Sequence, residues 1–135
     1  GNMGDLDVVT PADRIEFQTG SVTIEVTTRK CPGEGWAMIK SISRDGMQLI
    51  AALFTKPGGQ RILGCEFRAD DIVQITISDC TIIALNGLIV RARVVEAKVG
   101  GGSNAQEVEL EFSGESSELS MLRAVLDANM AGAGS

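Results

Sequence analysis

The sequence contains no histidine and no tyrosine, and aromatic residues make up only 4% of it. Histidine is the commonest general base and the commonest metal ligand, so its absence argues against most hydrolytic and metal-dependent active sites. The sequence also lacks a P-loop, a Rossmann glycine fingerprint, a nucleophile elbow and an EF-hand loop. The adjacent acids Asp70 and Asp71 stand at the start of a predicted strand, where acidic side chains are usually solvated. We therefore expect no enzyme activity, no metal site and no cofactor.

Basic residues are outnumbered, because 12 Lys and Arg stand against 18 Asp and Glu, which gives a formal net charge of −6. Such a chain repels a polyanion at long range. The scarcity of aromatic residues also removes the stacking platform that single-stranded nucleic acid requires. We expect neither DNA nor RNA as a partner.

Long apolar runs are missing as well, and no basic segment followed by an apolar stretch opens the chain. The three cysteines, Cys31, Cys65 and Cys80, have a number and spacing that suit neither a disulfide framework nor a zinc site. Reduced, partly buried thiols are typical of cytosolic proteins. These features predict a soluble cytoplasmic protein that is not inserted in a membrane.

The chain of 135 residues, of which 44% are hydrophobic, is long enough to build one hydrophobic core. Gly1-Asn2 ahead of Met3 is typical of residues left by an expression vector. We divide the sequence into this scar with a flexible N-terminal segment (residues 1–13), one folded domain (residues 14–130) and a disordered tail (residues 131–135).

Alternation of apolar and polar residues dominates the folded part. Five segments are predicted to be antiparallel strands, namely residues 21–28, 36–43, 47–54, 71–78 and 106–112, and the period of two is clearest in the first and the last of them. The Ala-Ala-Leu interior of the third segment also suits a helix. We interpret residues 81–98 either as a hairpin that turns at Asn86-Gly87 or as one long strand bent by a bulge at Gly87.

The period changes near the C-terminus, where Leu119, Leu122 and Leu126 recur at helical spacing. Ser116 or Ser117 would cap this amphipathic helix, which we expect to run to about Asn129. The predicted fold is mainly β, a small antiparallel β-barrel of about six strands with a C-terminal α-helix.

One predicted turn has a composition that also suits a binding site. In the stretch KSISRDGMQL, Ser41 and Ser43 can turn their hydroxyl groups to one side of a strand end. Gly46 permits a positive φ that would expose backbone N–H groups to an anion or a base edge. The same residues also suit a plain β-turn with Arg44-Asp45 at its exposed tip, and local chemistry alone favours that interpretation.

The spacing of Ser41, Ser43 and Gly46 resembles a motif of the PilZ family, in which Asp or Asn, any residue, Ser, any two residues and Gly follow one another. The family also carries two arginines four residues apart just before the first strand. Arg14 matches the first of them, and Gln18 stands in place of the second. The strand containing Val90 to Val94, the last strand and the C-terminal helix extend the resemblance to residues 14–130.

PilZ domains are barrels that bind the bacterial second messenger cyclic di-GMP, so the resemblance implies a nucleotide site formed by Arg14, Gln18, Ser41, Ser43 and Gly46. Two positions depart from the family pattern, because Gln18 has no charge and Ser41 replaces Asp or Asn. Loss of one charge-assisted hydrogen bond costs about 1.5–3 kcal/mol, which is about ten- to a hundredfold in affinity.

The resemblance therefore implies a bacterial signalling domain with a degenerate site, whose cyclic di-GMP binding is weak or lost and which acts through a protein partner. The alternative is a β-barrel that serves as an interaction or assembly module without a ligand. For that alternative, Trp36 and Phe54 are the candidate interface residues.

Overall fold

The computed structural model describes residues 13–100 and 105–133 of the chain. Within these residues it has seven β-strands and one α-helix: β1 (Arg14–Glu16), β2 (Thr23–Thr27), β3 (Glu34–Ser43), β4 (Gly46–Thr55), β5 (Ile72–Ser78), β6 (Ile89–Val99), β7 (Gln106–Phe112) and α1 (Ser117–Ala133). Most of the predicted flexible N-terminal segment (residues 1–12) and the last two residues of the predicted tail lie outside the described residues.

Six of the strands form a closed antiparallel barrel. Around the ring the order is β3, β2, β5, β6, β7 and β4, and β4 pairs again with β3. The short strand β1 lies outside this ring and pairs with the second half of β3, beyond the end of β2. The mainly β fold with about six barrel strands and a C-terminal helix is therefore confirmed.

The barrel interior is filled by the apolar positions of the alternating strands. In β7, Val108, Leu110 and Phe112 are buried while the glutamates between them are exposed. Phe54 is also part of this core, since it is only 1% exposed and its ring stacks on that of Phe67 with centroids 4.5 Å apart. Phe54 is therefore not an interface residue, whereas Trp36 is 40% exposed on the outer surface.

Helix α1 begins at a serine cap and packs on the barrel. The backbone N–H of Leu119 donates to Ser116 Oγ at 3.0 Å, which satisfies one of the free donors of the first turn. Leu119, Leu122 and Leu126 are buried, as their spacing predicts, and the helix runs to Ala133 instead of about Asn129. Among the described residues, no helix is both long and apolar enough to cross a bilayer.

The alternatives that the sequence left open for two segments are settled by tertiary contacts. Residues 47–54 belong to strand β4, which is irregular at Ala51, where φ is +57°, and is paired on both sides. Pairing with β3 and β7 outweighs the modest helix propensity of the Ala-Ala-Leu run.

Both interpretations of residues 81–98 were wrong. A short 3-10 turn covers Ile83–Leu85, and strand β6 begins only at Ile89. The Asn86 side chain holds this connection, because its Oδ1 accepts from the N–H of Cys80 at 2.6 Å and its Nδ2 donates to the Cys80 carbonyl at 3.2 Å. Burial of Leu85 adds an apolar anchor, so the Asn-Gly dipeptide closes a wider loop than a tight hairpin turn.

All three cysteines are free thiols, as predicted. Cys31 and Cys80 are buried, and Cys65 is half-buried. Burial and, next, a hydrogen bond with the Cys65 thiol raise the pKa of Cys31 to about 12. The Cys31 thiol is therefore protonated at neutral pH, as expected of a structural cysteine.

The packing of α1 on the barrel can be tested by truncating one buried and one exposed side chain. We expect Leu122→Ala to lower the free energy of unfolding by about 2–5 kcal/mol, because Leu122 is fully buried. The matched variant Met121→Ala removes a side chain that is 55% exposed and should stay within about 0.5 kcal/mol of the parent. Urea unfolding followed by circular dichroism measures both, and equal values would contradict the described docking of the helix.

Candidate functional site

The pairing of β1 with β3 brings Arg14 to the β3–β4 turn. In this register Arg14 stands opposite Ser43, and Glu16 stands opposite Ser41. Arg14 Nη1 donates a hydrogen bond to Ser41 Oγ at 2.6 Å. Two residues separated by 27 positions in sequence thus meet at one end of the barrel.

Ser41 is nearly inaccessible, with 1% of its surface exposed. Its hydroxyl accepts from Arg14 and donates to Gln48 Oε1 at 2.9 Å. A buried hydroxyl with both partners in place anchors the guanidinium of Arg14. Gln48 is a member of this network that sequence reasoning missed, although the β3–β4 hairpin register, which pairs Ser41 with Gln48, would have indicated it.

Ser43 and Gly46 shape the turn. The Ser43 hydroxyl accepts from the N–H of Asp45 at 3.2 Å and donates to the carbonyl of Gly46 at 3.5 Å. Gly46 does not have a positive φ, contrary to the role that we expected for it. Glycine is needed there for space, because an added Cβ would lie 1.9 Å from the carbonyl oxygen of Leu110 in β7. The exposed tip of the turn is Arg44-Asp45, as predicted.

Gln18 lies apart from this cluster. The apolar residues Ile15 and Phe17 pack against the core, which leaves Arg14, Glu16 and Gln18 on the outer face of the extended segment. Gln18 is exposed, and at about 3.3 Å per residue it lies about 13 Å along the chain from Arg14. Glu16, which is also exposed, lies between Arg14 and Gln18 on this face.

Two shallow depressions meet at Arg14, Ser43 and Asp45. The first has a volume of about 270 Å³ and extends over β6 and β7 to Arg93, Glu109 and Glu111. The second, about 360 Å³, extends to Met130 of α1. Arg14 and the turn therefore face solvent-accessible space on two sides.

Both basic and acidic side chains line the first depression. Arg93 Nη2 contacts Glu111 Oε1 at 3.0 Å, and its Nη1 contacts Asp70 Oδ1 at 2.8 Å. These hydrogen bonds, that of Glu111 first and that of Asp70 next, raise the pKa of Arg93. Carboxylates of Asp45 and Glu109 line the same depression. Of its two arginines, Arg14 is the one that forms no ion pair within residues 13–100 and 105–133.

The turn is also attached to the helix. Arg123 Nε donates to the carbonyl of Arg44 at 2.9 Å, and Arg44 Nη1 forms an ion pair with Asp127 at 2.5 Å. Both contacts are exposed, so each contributes modestly to stability. Their effect is to position α1 beside the second depression.

The adjacent acids Asp70 and Asp71 both form ion pairs. Asp70 pairs with Arg93, and Asp71 Oδ2 lies 2.6 Å from Lys30 Nζ. Asp71 also accepts from the backbone N–H of Arg68 at 2.9 Å. Their side chains hold the loop before β5 in place.

The close contact at Gly46 predicts a large effect of one methyl group. Gly46→Ala should lower the free energy of unfolding by about 3 kcal/mol, because the added Cβ would lie 1.9 Å from the Leu110 carbonyl oxygen, a backbone atom of a barrel strand. Gly58→Ala is the control: its φ is +97° and no atom lies within 4 Å of an added Cβ, so strain alone should cost about 1–2 kcal/mol. If urea unfolding gave equal losses for the two variants, the steric role of Gly46 would be refuted.

Comparison with known proteins shows which solved structures share this fold. The sequence matches no family model. It is also not significantly similar to any curated protein. Solved structures do resemble it: MrkH of K. pneumonia in complex with c-di-GMP has a TM-score of 0.61 at 12% identity, over 89% of this chain and 52% of that one.

Two further structures agree with this result. The PilZ domain of YcgR from Escherichia coli, solved with c-di-GMP, has a TM-score of 0.57 at 14% identity and is matched over 88% of this chain and 90% of that one. The inhibitor of motility MotI/DgrA of Bacillus subtilis has a TM-score of 0.56 at 14% identity, over 89% and 48%. The chain thus spans about half the length of MotI and MrkH. In its architecture this chain is a PilZ-like domain.

Proposed function

We propose that this chain is a regulatory domain of the cyclic di-GMP receptor type with a degenerate nucleotide site, and that it acts through contacts with a protein partner. The observation that carries the proposal is the contact of Arg14 with Ser41 beside the open depression at Ser43 and Gly46. Two proteins of the same fold, MrkH and YcgR, were solved with c-di-GMP. We place the domain in bacterial cytoplasmic signalling, without an enzymatic activity of its own.

Arg14 has the chemistry that the ligand requires. A guanidinium binds a phosphate through two parallel hydrogen bonds, and it binds the O6 and N7 atoms of guanine in the same way. Its present partner, the Ser41 hydroxyl, is neutral, so exchanging it for a phosphate oxygen gains a charge-assisted contact. Ser43 and Asp45 line the same depression, where the N–H of Asp45 donates to the Ser43 hydroxyl.

Four features weaken the site. Gln18 supplies no charge, and Glu16 places a carboxylate on the same face. The Ser41 hydroxyl is buried and already has both of its partners. Carboxylates of Glu109 and Glu111 line the depression and repel a bound phosphate. We therefore expect binding about ten- to a hundredfold weaker than that of a site with both arginines.

A ligand at Arg14 would alter the surface that the domain shows to a partner. Met130 of α1 and Arg44, which is bonded to Arg123, share the second depression with Arg14 and Ser43. Ligand atoms in this space would change the exposed surface between the turn and the helix. A change of surface on ligand binding is sufficient for regulation when a partner has different affinities for the two states.

The alternative function, an interaction module without a ligand, is favoured by one apolar patch. On the outer face of the β3–β4 hairpin, Trp36 pairs with Leu53 and Met38 pairs with Ile50. Trp36 is 40% exposed, and the other three are half-buried. Exposed aromatic residues that lie among apolar neighbours are typical of interface centres.

Isothermal titration of the protein with cyclic di-GMP at low salt tests the receptor proposal. We expect weak but saturable binding that Arg14→Ala lowers at least about tenfold, because the charge-assisted contact is lost. Arg68→Ala is the matched control, since Arg68 is exposed and lies outside the two depressions at Arg14. No heat at high micromolar ligand, or equal losses in both variants, would reject a nucleotide role and leave the interaction module.

Restoring the second arginine should strengthen the site. Gln18 is exposed on the same face as Arg14, so Gln18→Arg adds a guanidinium there without disturbing the core. We expect the affinity for cyclic di-GMP to rise about tenfold or more in the same titration. Thr19→Arg is the control: this neighbouring exposed position receives the same added charge. An equal gain from both variants would show a general charge effect and contradict the assigned role of position 18.

A further inference from the structure

A larger groove lies on a part of the barrel surface that the proposed nucleotide site does not use. It has a volume of about 810 Å³ and is formed by the end of β2, the residues that follow it, the start of β5 and Arg91 near the start of β6. None of its lining residues belongs to the depressions at Arg14. Its lining includes the side chains of Thr27, Arg29, Ile72, Gln74 and Arg91.

The strand register gives the groove its layout. Thr27 on β2 stands opposite Gln74 on β5, and Gln74 stands opposite Arg91 on β6. All three are exposed. With neighbouring strands about 4.8 Å apart, this row extends over about 10 Å. Arg29 lies two residues beyond Thr27, so Arg29 and Arg91 stand at diagonal corners of the groove.

The floor between these corners is apolar. Ile72 lies two residues before Gln74 on β5, on the same face, and is 51% exposed. The Thr28 hydroxyl donates to the Ile72 carbonyl at 3.1 Å, which holds the segment with Arg29 against β5. The groove therefore has an apolar centre between two cationic corners.

The acids of the groove are already neutralised. Asp71 forms an ion pair with Lys30 at 2.6 Å, and Asp70 pairs with Arg93 at 2.8 Å. Arg29 and Arg91 are exposed, and within residues 13–100 and 105–133 neither side chain forms an ion pair or a hydrogen bond. Among the described residues that line this groove, the guanidinium groups of Arg29 and Arg91 therefore remain available to an anion, although the net charge of the chain is −6.

This arrangement suits an acidic peptide better than a small anion. A free phosphate requires donors that converge on one point, whereas the two diagonal corners are separated by about 12 Å and by Ile72. An extended peptide repeats its side chains about 6.6 Å apart on one face, so it can present a carboxylate to each corner and an apolar side chain to the floor. Arginine binds carboxylates through two parallel hydrogen bonds, which fixes orientation as well as charge.

We propose that this groove binds an acidic segment of a partner protein, with carboxylates on Arg29 and Arg91 and an apolar side chain on Ile72. The net negative charge of the chain does not prevent this, because charges separated by more than about 8–10 Å are screened at physiological salt while the direct pairs are not. The groove requires no nucleotide, so the proposal is independent of cyclic di-GMP binding. The domain would thus bind acidic partner segments through this groove.

Fluorescence anisotropy with a labelled peptide of alternating glutamate and leucine tests the groove. We expect saturable binding at low salt that weakens as salt rises, and an affinity about tenfold lower for the double variant Arg29→Ala/Arg91→Ala. The matched control is Lys40→Ala/Lys98→Ala, which removes two cations from a different depression and should leave the affinity unchanged. Ile72→Ser should weaken binding without altering the salt dependence.

Three results would overturn the proposal. The first is that the parent protein shows no saturable peptide binding. Titration of the same sample with cyclic di-GMP then reports separately whether the nucleotide site binds its ligand. The second is an equal loss of peptide affinity in the two double variants, which would show that binding depends on the net charge of the protein and not on this groove. The third is displacement of the peptide by inorganic phosphate at a comparable concentration, which would make the groove a small-anion site. Urea unfolding of each variant confirms that the fold is retained.

Discussion

Strand β3 is hydrogen-bonded along both edges, and the rest of the structure depends on this pairing. On one edge it pairs with β4, and on the other β2 covers its first half and β1 its second. A strand of ten residues extends over about 33 Å, which is long enough for two short partners end to end. The pairing with β4 and β2 closes the barrel, and the pairing with β1 delivers Arg14 to Ser41.

The hairpin that closes the barrel also holds the proposed nucleotide site, so stability and function constrain the same residues. Gly46 admits the Leu110 carbonyl of β7, and Ser43 bonds within the turn. The exposed tip then bonds to α1 through Arg44. Gly46 and Ser43 therefore have structural roles in this chain, whereas the side chain of Arg14 bonds to the Ser41 hydroxyl from the short strand outside the barrel ring.

Short-range electrostatics distinguish two surfaces of an acidic molecule. Near Arg14 the carboxylates of Asp45, Glu109 and Glu111 offset the available positive charge. In the groove of β2, β5 and β6, the two acids are already paired with Lys30 and Arg93, which leaves Arg29 and Arg91 unpaired among the described residues. Because salt screens distant charges, the local arrangement governs which anions each surface attracts, whatever the net charge.

The sequence by itself determined the fold class, since alternation in β7 and the leucine spacing of α1 report directly which side chains are buried. It also indicated the turn at Ser41 to Gly46, because turn chemistry is local. Only the tertiary structure decided that Gly46 serves close packing, that Gln48 completes the Ser41 network and that Asn86 closes a wide loop. Each of these depends on residues distant in sequence or on the path of a connection. The pairing of β1 with β3 is also long-range, since no hairpin turn joins these two strands, and it brings Arg14 to its partner.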